Sequence, residues 1–449
     1  MTVRDGGGML SLEDAVERIL QGCVPLPAVT LPLDAALGQV LAVPVVAATS
    51  LPPWDNSAMD GFAVRSADVA GASDARPVRL RVTGEVAAGH EPAHAVEAGT
   101  AMRITTGAMV PPGADAVVPV EDTDAPAGVA DLPAAVAIRV PAERGANVRR
   151  AGDDVRRGDR VLEPGRLVGP AAIALAAAAG AATFEVHRRP RVGILATGDE
   201  LTPPGEPLGP GRIHDSNSTA LLAQARSAGA TATSFGIAPD DPAILRARLA
   251  AAIAASDVVV LSGGVSVGAH DHVRDAFEAL GEVAFWRVAI QPGKPLAFGR
   301  TTAGRGGEHA GGDRADADRP VALFGLPGNP VSAFVTFELF VRPLLRVLLG
   351  HVPPAGTLVP HAAAARRRVT ARLAAPVTKS PGRRAFLRVM LEPDPSEPGR
   401  LLARPAGGQG SHVLSALAAA DGLAVVPESV SGLPAGDEVE VWVLEGEGA

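Results

Sequence analysis

The chain has 449 residues, which is long enough for about three domains at roughly 150 residues each. Hydrophobic residues make up 47% of it and aromatic residues 3%, with no tyrosine, so we expect several packed cores built from Ala, Val and Leu. The net charge of −8 without a basic tail argues against general nucleic-acid binding, and the single Cys23 argues against a disulfide framework or a cysteine-based zinc site.

The first part of the chain predicts one helix followed by a β-rich region. Residues around 10 to 21 carry a helical hydrophobic stripe that begins at a potential N-cap, Ser11. From about residue 31 to 165, short β-like runs such as "PVRLRVTGEV" alternate with Pro and Gly turns. The acidic N-terminus predicts no export signal, and glycine and proline break the alanine-rich stretch 167–186, which we interpret as a buried helix and not a membrane span. We therefore expect a soluble, cytoplasmic protein.

From Arg191 onward strand-like and helix-like segments alternate. The strands are "RVGILATG", "ATSFGIA", "DVVVLSGG", "EVAFWRVAI" and "RPVALFGLPG", and the helices are "SNSTALLAQARSAG", "DPAILRARLAAAIAA", "DHVRDAFEAL" and "NPVSAFVTFELFVRPLL". This alternation predicts a doubly wound, mainly parallel α/β sheet. We expect Pro343 to end or kink the last helix. After about residue 350, β-like runs return and predict a small β-barrel or sandwich.

Four of these strands end in polar residues, and ligands of such sheets bind beyond the carboxyl ends of the strands. The third strand runs into "LSGGVSVGAHD", where glycines and the hydroxyls of Ser262 and Ser266 suit a phosphate. Three carboxylates, Glu200, Asp240 and Asp271, fall at the same edge and would repel a phosphate unless a cation such as Mg²⁺ lay between them. Asp271 by itself fits a helix N-cap better than a metal ligand, and the recurrence of carboxylates at three strand ends reverses this preference. The pattern predicts a magnesium-dependent enzyme for a phosphorylated or nucleotide-bearing substrate.

Two further stretches carry chemistry outside those strand ends. In "QPGKPLAFG", Lys294 lies in a constrained turn where it can meet an oxyanion, although a solvated surface lysine is the simpler interpretation. The stretch "PPWDNSAMDGFAV" places Asp60 among turn-forming residues, and a plain connector with a buried Trp54 is its alternative.

The order of these motifs resembles that of the molybdopterin molybdenumtransferase (MoeA) family, which is related to the E domain of gephyrin. The stretches that carry the resemblance run from about residue 10 to the C-terminus and are "PPWDNSAMDGFAVR", "RITTGAMVPPGAD", "ATGDEL", "IHDSN", "DDP", "LSGGVSVGAHD", "FWRVAIQPGKPLAFG", "LPGNPVSAFVTF", "PGRRAFLR" and "GGQGSHVLSALAAADG". Each motif alone is weak, but ten in register are specific.

The resemblance implies an elongated, dimeric subunit with a central molybdopterin-binding-like α/β domain, β-rich N-terminal lobes and a small C-terminal β-barrel. We expect four units, at residues 1–50 together with 140–187, 51–139, 188–348 and 349–449. The implied reaction takes adenylylated molybdopterin and molybdate and yields molybdenum cofactor and AMP with Mg²⁺. Candidate protein partners are the molybdopterin adenylyltransferase and apo-molybdoenzymes.

The resemblance also implies roles for individual residues. The expected catalytic positions are Asp60, Thr106, Glu200, Asp240 and Asp271, of which the last three are the expected magnesium ligands. The expected substrate-binding positions are Thr197, Gly198, Ser262, Gly263, Gly264 and Ser266 on the nucleotide side, and Lys294, Ser332, Arg383 and Ser411 on the oxyanion side.

Two positions depart from the family pattern, because Arg287 and Gln291 stand where many members have lysine. Gln291 removes a charge from the expected anion site, so the affinity for molybdate and its preference over tungstate stay open. Two alternative functions also stay open: the preceding adenylyl transfer from ATP to molybdopterin, and a non-catalytic, gephyrin-like scaffold.

Overall fold

The computed structural model describes residues 9–126, 128, 131–264, 276, 283–302, 319–351 and 366–444. Its first helix, Leu12–Leu20 (α1), begins where the sequence predicts, because the Ser11 hydroxyl accepts a hydrogen bond from the Asp14 amide at 3.0 Å. The apolar face of α1 is buried in a core that it shares with the central part of the chain.

The N-terminal region is β-rich, as predicted. Its strands are Ala28–Pro32 (β1), Val45–Val46 (β2), Asn56–Ser57 (β3), Gly61–Val64 (β4), Val78–Val86 (β5), Thr100–Ile104 (β6), Ala116–Pro119 (β7), Ala135–Ile138 (β8), Val148–Arg149 (β9), Arg160–Leu162 (β10) and Thr183–His187 (β11). Its helices are Ser66–Val69 (α2) and Pro170–Ala178 (α3), with a 3₁₀ turn at Val120–Asp122. One sheet has the order β7-β4-β6-β5-β8, and the antiparallel pairs β1–β11 and β2–β10 join the chain segments before and after it. No helix in the described part of the chain is long and apolar enough to cross a membrane.

The central region alternates strands and helices. Its strands are Arg191–Thr197 (β12), Leu201–Thr202 (β13), Ile213–His214 (β14), Thr231–Ala238 (β15), Val258–Ser262 (β16), Val283–Arg287 (β17), Ile290–Gln291 (β18), Pro295–Thr301 (β19) and Val321–Leu326 (β20). Its helices are Ser216–Ser227 (α4), Pro242–Ala255 (α5), Pro330–Thr336 (α6) and Arg342–Leu348 (α7), with a π-helical turn at Phe337–Val341 between the last two. Of the predicted helix 271–280, Ala276 alone is among the described residues, where it is helical and buried.

The central sheet has the order β15-β12-β16-β20-β19-β17. The first four strands are parallel, whereas β19 and β17 are antiparallel to their neighbours, so the sheet is mixed at one edge. Alternate residues of β16 explain why helices cover both faces. Val258 and Val260 pack in one core with α4 and α6, while Val259 and Leu261 pack in another with α5.

Asp215 and Asp241 cap α4 and α5 through hydrogen bonds to backbone amides in their first turns, so both helices begin at predicted positions. The expectation for Pro343 was only half right. The chain stays helical to Leu348, and the disturbance takes the form of the π-helical turn directly before Arg342. Proline lacks the amide and crowds the carbonyl of the preceding turn, and a wider turn accommodates both.

The C-terminal region is a closed five-stranded barrel, which confirms the predicted barrel. Its elements are Arg368–Leu373 (β21), Val377–Thr378 (β22), Arg384–Pro393 (β23), Leu401–Pro405 (β24), Leu414–Ala418 (α8), Gly422–Val426 (β25), Gly432–Leu433 (β26) and Glu438–Val443 (β27). The ring runs β23-β24-β21-β27-β25 and closes back on β23. Outside the ring, β18 of the central region pairs in parallel with β23, with Gln291 opposite Ala385.

A buried group of polar side chains, which we call the Glu338 cluster, joins the central region to the barrel. It consists of Gln224, Glu338, Arg342 and Arg366. The Glu338 carboxylate accepts hydrogen bonds from Arg366 Nε at 2.9 Å and from Gln224 Nε2 at 2.7 Å, and Arg342 Nε lies 3.8 Å away. Because Glu338 is only 3% exposed, its charge depends on these partners.

Candidate active site

A cleft of about 770 Å³ opens at the carboxyl ends of the four parallel strands β12, β15, β16 and β20, and we call it the strand-end cleft. Residues that follow each of these strands line it. The predicted residues among them are Thr197, Gly198, Glu200, Asp240, Ser262, Gly263 and Gly264. Ser266 and Asp271 lie outside the described residues, so their predicted roles stay predictions.

Glycines allow the strand exits to approach one another this closely. Gly263 has a φ of +96°, and a Cβ there would lie 2.8 Å from the Thr197 carbonyl oxygen, so a side chain would push the β16 exit away from β12. Gly198 has a φ of +145°, and the Glu200 carboxylate folds over its bare Cα. The glycines thus place the Glu200 carboxylate and the exit of β16 on one wall of the strand-end cleft.

Two hydrogen bonds hold Asp240 in the cleft, one to its side chain and one from its backbone. Its carboxylate accepts from the Thr197 hydroxyl at 3.3 Å, and its backbone amide donates to the Asp199 carboxylate at 3.2 Å. Because Thr197 donates its only hydroxyl proton to Asp240, the lone pairs of Thr197 remain available to a cation or a donor. Within the described residues no group of three or more His, Cys, Asp or Glu side chains could hold a metal ion.

Asn217 and His412 are among the residues of the cleft wall that the sequence did not assign to the site. Asn217 stands in the first turn of α4, and its amide donates to Ser262 Oγ and to the Gly328 carbonyl, each at 2.8 Å. His412 comes from the C-terminal region, one residue after Ser411. The motif "IHDSN" contained the signal for Asn217, because it places an amide at the start of a helix that follows a strand.

The predicted oxyanion residues lie at the contact between α6 and the C-terminal region. The turn before Lys294 packs on α6, since a Cβ at Gly293 would lie 3.5 Å from the Ser332 carbonyl oxygen. From the other side, the Val331 amide donates to the Ser411 carbonyl at 3.0 Å. Lys294, Ser332 and Ser411 therefore gather around the first turns of α6, and their neighbours Pro295 and His412 line the strand-end cleft.

Arg383 lies in a loop of the barrel that runs beside β18. The amide of the next residue, Arg384, donates to the Ala289 carbonyl at 2.8 Å, which places the loop beside β18. Burial lowers the pKa of Lys379, the charge of Glu428 opposes this effect, and the positive charge of Arg383 adds to it. Lys379 is thus a second cation of this loop, one that the sequence did not single out.

Gln291 contributes an unusual feature to this contact. Its Oε1 atom is buried and has no hydrogen-bond partner among the described residues. A buried acceptor without a partner costs free energy. This oxygen is therefore suited to a hydrogen-bond donor of a bound ligand.

Asp60 lines a separate pocket of about 510 Å³ beside the N-terminal sheet, and Thr106 is hydrogen-bonded to Asp60 there. The Asp60 carboxylate accepts from the Thr106 backbone amide at 2.6 Å and from its hydroxyl at 2.9 Å. Both hydrogen bonds hold the pKa of Asp60 below its ordinary value, and the bond from the backbone amide has the larger effect. The pocket shares no lining residue with the strand-end cleft, so a single chain does not place this pair together with Glu200 and Asp240.

Replacing Thr106 by valine should raise the pKa of Asp60 while leaving it below that of an unpaired aspartate, because the backbone amide still donates. Titration of the Asp60 carboxyl carbon by NMR measures this shift. Thr105→Val is the matched control, since the Thr105 hydroxyl accepts from the Ala88 amide and makes no hydrogen bond to Asp60. An equal shift in both variants would contradict the assignment.

Comparison with known proteins identifies the family of this chain. Three family models cover most of the chain: the MoeA N-terminal region (domains I and II) at residues 10–180, the "Probable molybdopterin binding domain" at 193–347 and the MoeA C-terminal region (domain IV) at 370–444. The chain belongs to the MoeA family.

Relatives within the MoeA family match over nearly the full length. Molybdopterin molybdenumtransferase 2 of Mycobacterium tuberculosis is 42% identical over 96% of this chain and 97% of its own length. The molybdopterin molybdenumtransferase of Haemophilus influenzae is 34% identical over 96% and 98%. The crystal structure of a molybdopterin biosynthesis MoeA protein from Pyrococcus horikosii covers 98% of this chain and 100% of its own, with a TM-score of 0.78 and 35% identity.

Proposed function

We propose that this protein is a molybdopterin molybdenumtransferase that converts adenylylated molybdopterin and molybdate to molybdenum cofactor and AMP. One observation carries the proposal: a single cleft joins carboxylates from two strand ends to the glycine and hydroxyl donors of a third. The names of the full-length relatives support this reaction over adenylyl transfer from ATP.

The nucleotide side of the cleft suits the pyrophosphate of the substrate. Gly264 is exposed at the exit of β16, Ser262 adds a hydroxyl, and residues from the first turns of α4 and α6 line the same space. Binding here fixes the phosphate that is cleaved from molybdopterin, and a fixed geometry lowers the barrier of the reaction.

The carboxylates of Glu200 and Asp240 fit Mg²⁺, which typically takes one or two carboxylates together with substrate phosphate oxygens and waters. Bound Mg²⁺ would neutralise charge on the pyrophosphate. In this proposal Asp240, held by Thr197, and Glu200, folded over Gly198, position the ion, and Asp271 is a third ligand implied by the resemblance.

The side of the site that would bind molybdate carries positive charge, opposite to that of the carboxylates. Molybdate is a dianion that can be met by Lys294, Ser332 and Ser411, which lie around the first turns of α6. Arg383, in the barrel loop beside β18, is the further cation implied by the resemblance. The separation of carboxylates from cations lets one site bind a cation and an anion at once.

Incubation of the protein with adenylylated molybdopterin, molybdate and Mg²⁺ tests the proposal. We expect AMP release, together with material that reconstitutes an apo-molybdoenzyme. A parallel reaction with ATP and molybdopterin tests adenylyl transfer, and tungstate in place of molybdate tests the anion preference. Absence of AMP in the first reaction would overturn the proposal and favour a scaffold role.

We propose in addition a cytoplasmic homodimer in which Asp60 and Thr106 of one copy meet the strand-end cleft of the other. The separate pockets within one chain support this arrangement. Mixing inactive Asp60→Asn and Asp240→Asn chains should restore about a quarter of the wild-type activity, since half the dimers are mixed and each has one intact site. Failure to recover activity in a mixture that forms dimers would contradict the shared site.

Gln291→Lys should lower the molybdate concentration for half-maximal AMP release, because it returns a cation to the oxyanion side. Arg287→Lys, which preserves charge, is the control. A half-saturating concentration equal to that of the wild type would place Gln291 outside contact with the anion.

A further inference from the structure

The hydrogen bonds of Asn217 define the direction of a neighbouring hydroxyl. Asn217 is half-buried in the first turn of α4, and its Nδ2 donates to Ser262 Oγ and to the Gly328 carbonyl oxygen, each at 2.8 Å. One side chain thus ties together three loops: the start of α4, the exit of β16 and the turn between β20 and α6.

The orientation of the amide follows from its partners. The Gly328 carbonyl can only accept, so the nitrogen of Asn217 and not its oxygen must face it. The second proton of that nitrogen points to Ser262, whose hydroxyl oxygen accepts it.

Ser262 is therefore an acceptor toward Asn217, and its own proton must point elsewhere. Ser262 is 2% exposed and lines the strand-end cleft, and its hydroxyl donates no hydrogen bond to the described part of the chain. Thr197, on the same wall, has the opposite polarity, because its proton is committed to Asp240. The two hydroxyls thus mark a donor side and an acceptor side of one cleft.

We propose that Asn217 is a positioning residue that turns the Ser262 hydroxyl proton toward a phosphate oxygen of the bound nucleotide substrate. The inference rests on the proposed function and extends it, because it makes phosphate recognition depend on a side chain that need not touch the ligand. A hydrogen bond to a charged phosphate is stronger than one between neutral groups, so the direction of this proton affects affinity.

A double-mutant cycle tests the proposal on the full-length chain, with ADP as the probe of adenosine plus pyrophosphate and titration calorimetry in the presence of Mg²⁺. Ser262→Ala should weaken ADP binding by roughly tenfold or more, and Asn217→Ala by about threefold to tenfold. The double variant should bind within about twofold of Ser262→Ala alone, because Asn217 acts through the Ser262 proton.

A purely structural role for Asn217 as a tie between loops predicts the opposite result, namely losses that multiply in the double variant. Multiplying losses, or an Asn217→Ala variant that binds ADP as the wild type does, would overturn the proposal. Asn217→Asp keeps the side-chain shape and serves if the alanine variant does not fold; it should also bind ADP more weakly, because the Ser262 proton then turns to the carboxylate.

The wild-type measurement separates this inference from the proposed function. A wild-type chain that releases AMP yet does not bind ADP overturns the role of Asn217 and Ser262 and leaves the reaction standing. A wild-type chain that binds ADP with the expected cycle but releases no AMP supports the positioning role and overturns the proposed reaction.

Discussion

Asp240→Asn should lower magnesium-dependent AMP release by about 100-fold or more and leave molybdate binding nearly unchanged. Charge neutralisation by a metal ion is worth several kcal/mol, and each 1.36 kcal/mol corresponds to a factor of ten in rate. The substitution keeps the shape of the residue, so its amide oxygen can still accept from Thr197 and its backbone can still donate to Asp199. What it removes is the negative charge.

Three measurements define this result: AMP release at saturating substrate, the Mg²⁺ concentration for half-maximal rate, and molybdate binding by equilibrium dialysis. Asp241→Asn is the matched control, because it lies one residue further on, caps α5 and tolerates asparagine as an N-cap. Equal losses of AMP release and molybdate binding in Asp240→Asn would count against separate cation and anion sides.

Glu338→Ala should lower the free energy of unfolding by about 3–5 kcal/mol, because removal of one partner leaves buried charges without a counter-ion. Glu338 is 3% exposed and Arg366 8%, and the pair lies between the central region and the barrel. Urea unfolding followed by tryptophan fluorescence measures the loss. Glu392→Ala is the control, since Glu392 pairs with Arg404 at the surface, where such pairs contribute at most about 1 kcal/mol. A loss no larger than that of the control would show that the Glu338 cluster contributes little to stability.

Local chemistry explains which parts of the fold the sequence predicted well. Helix starts at Ser11, Asp215 and Asp241 depend on a side chain and amides two or three residues away, so short-range patterns suffice. The clustering of the four strand exits followed from the parallel alternation of strands and helices. The antiparallel strand β19 did not, because the sequence predicted no strand at 295–301 and its pairing with β20 and β17 depends on partners elsewhere along the chain.

The candidate site was likewise predicted only where short stretches of sequence carry the signal. The carboxylates and glycines at strand ends were visible as motifs, but the link between Asn217 and Ser262 joins residues 45 positions apart. The separation of Asp60 from Asp240 was also invisible, since motif order records which residues occur and not which pocket each one enters. The catalytic roles expected for these residues therefore stay predictions, and within a single chain Asp60 and Asp240 line different pockets.

The short strand Ile290–Gln291 has a mechanical consequence. It belongs to the central region by sequence but hydrogen-bonds to the barrel strand β23, while the Ser411 carbonyl holds the start of α6 from the barrel side. The barrel cannot rotate away from Lys294 without breaking both sets of hydrogen bonds. We therefore expect this contact between the central region and the barrel to be rigid and not to act as a hinge. The barrel should then keep its position when a ligand enters the strand-end cleft.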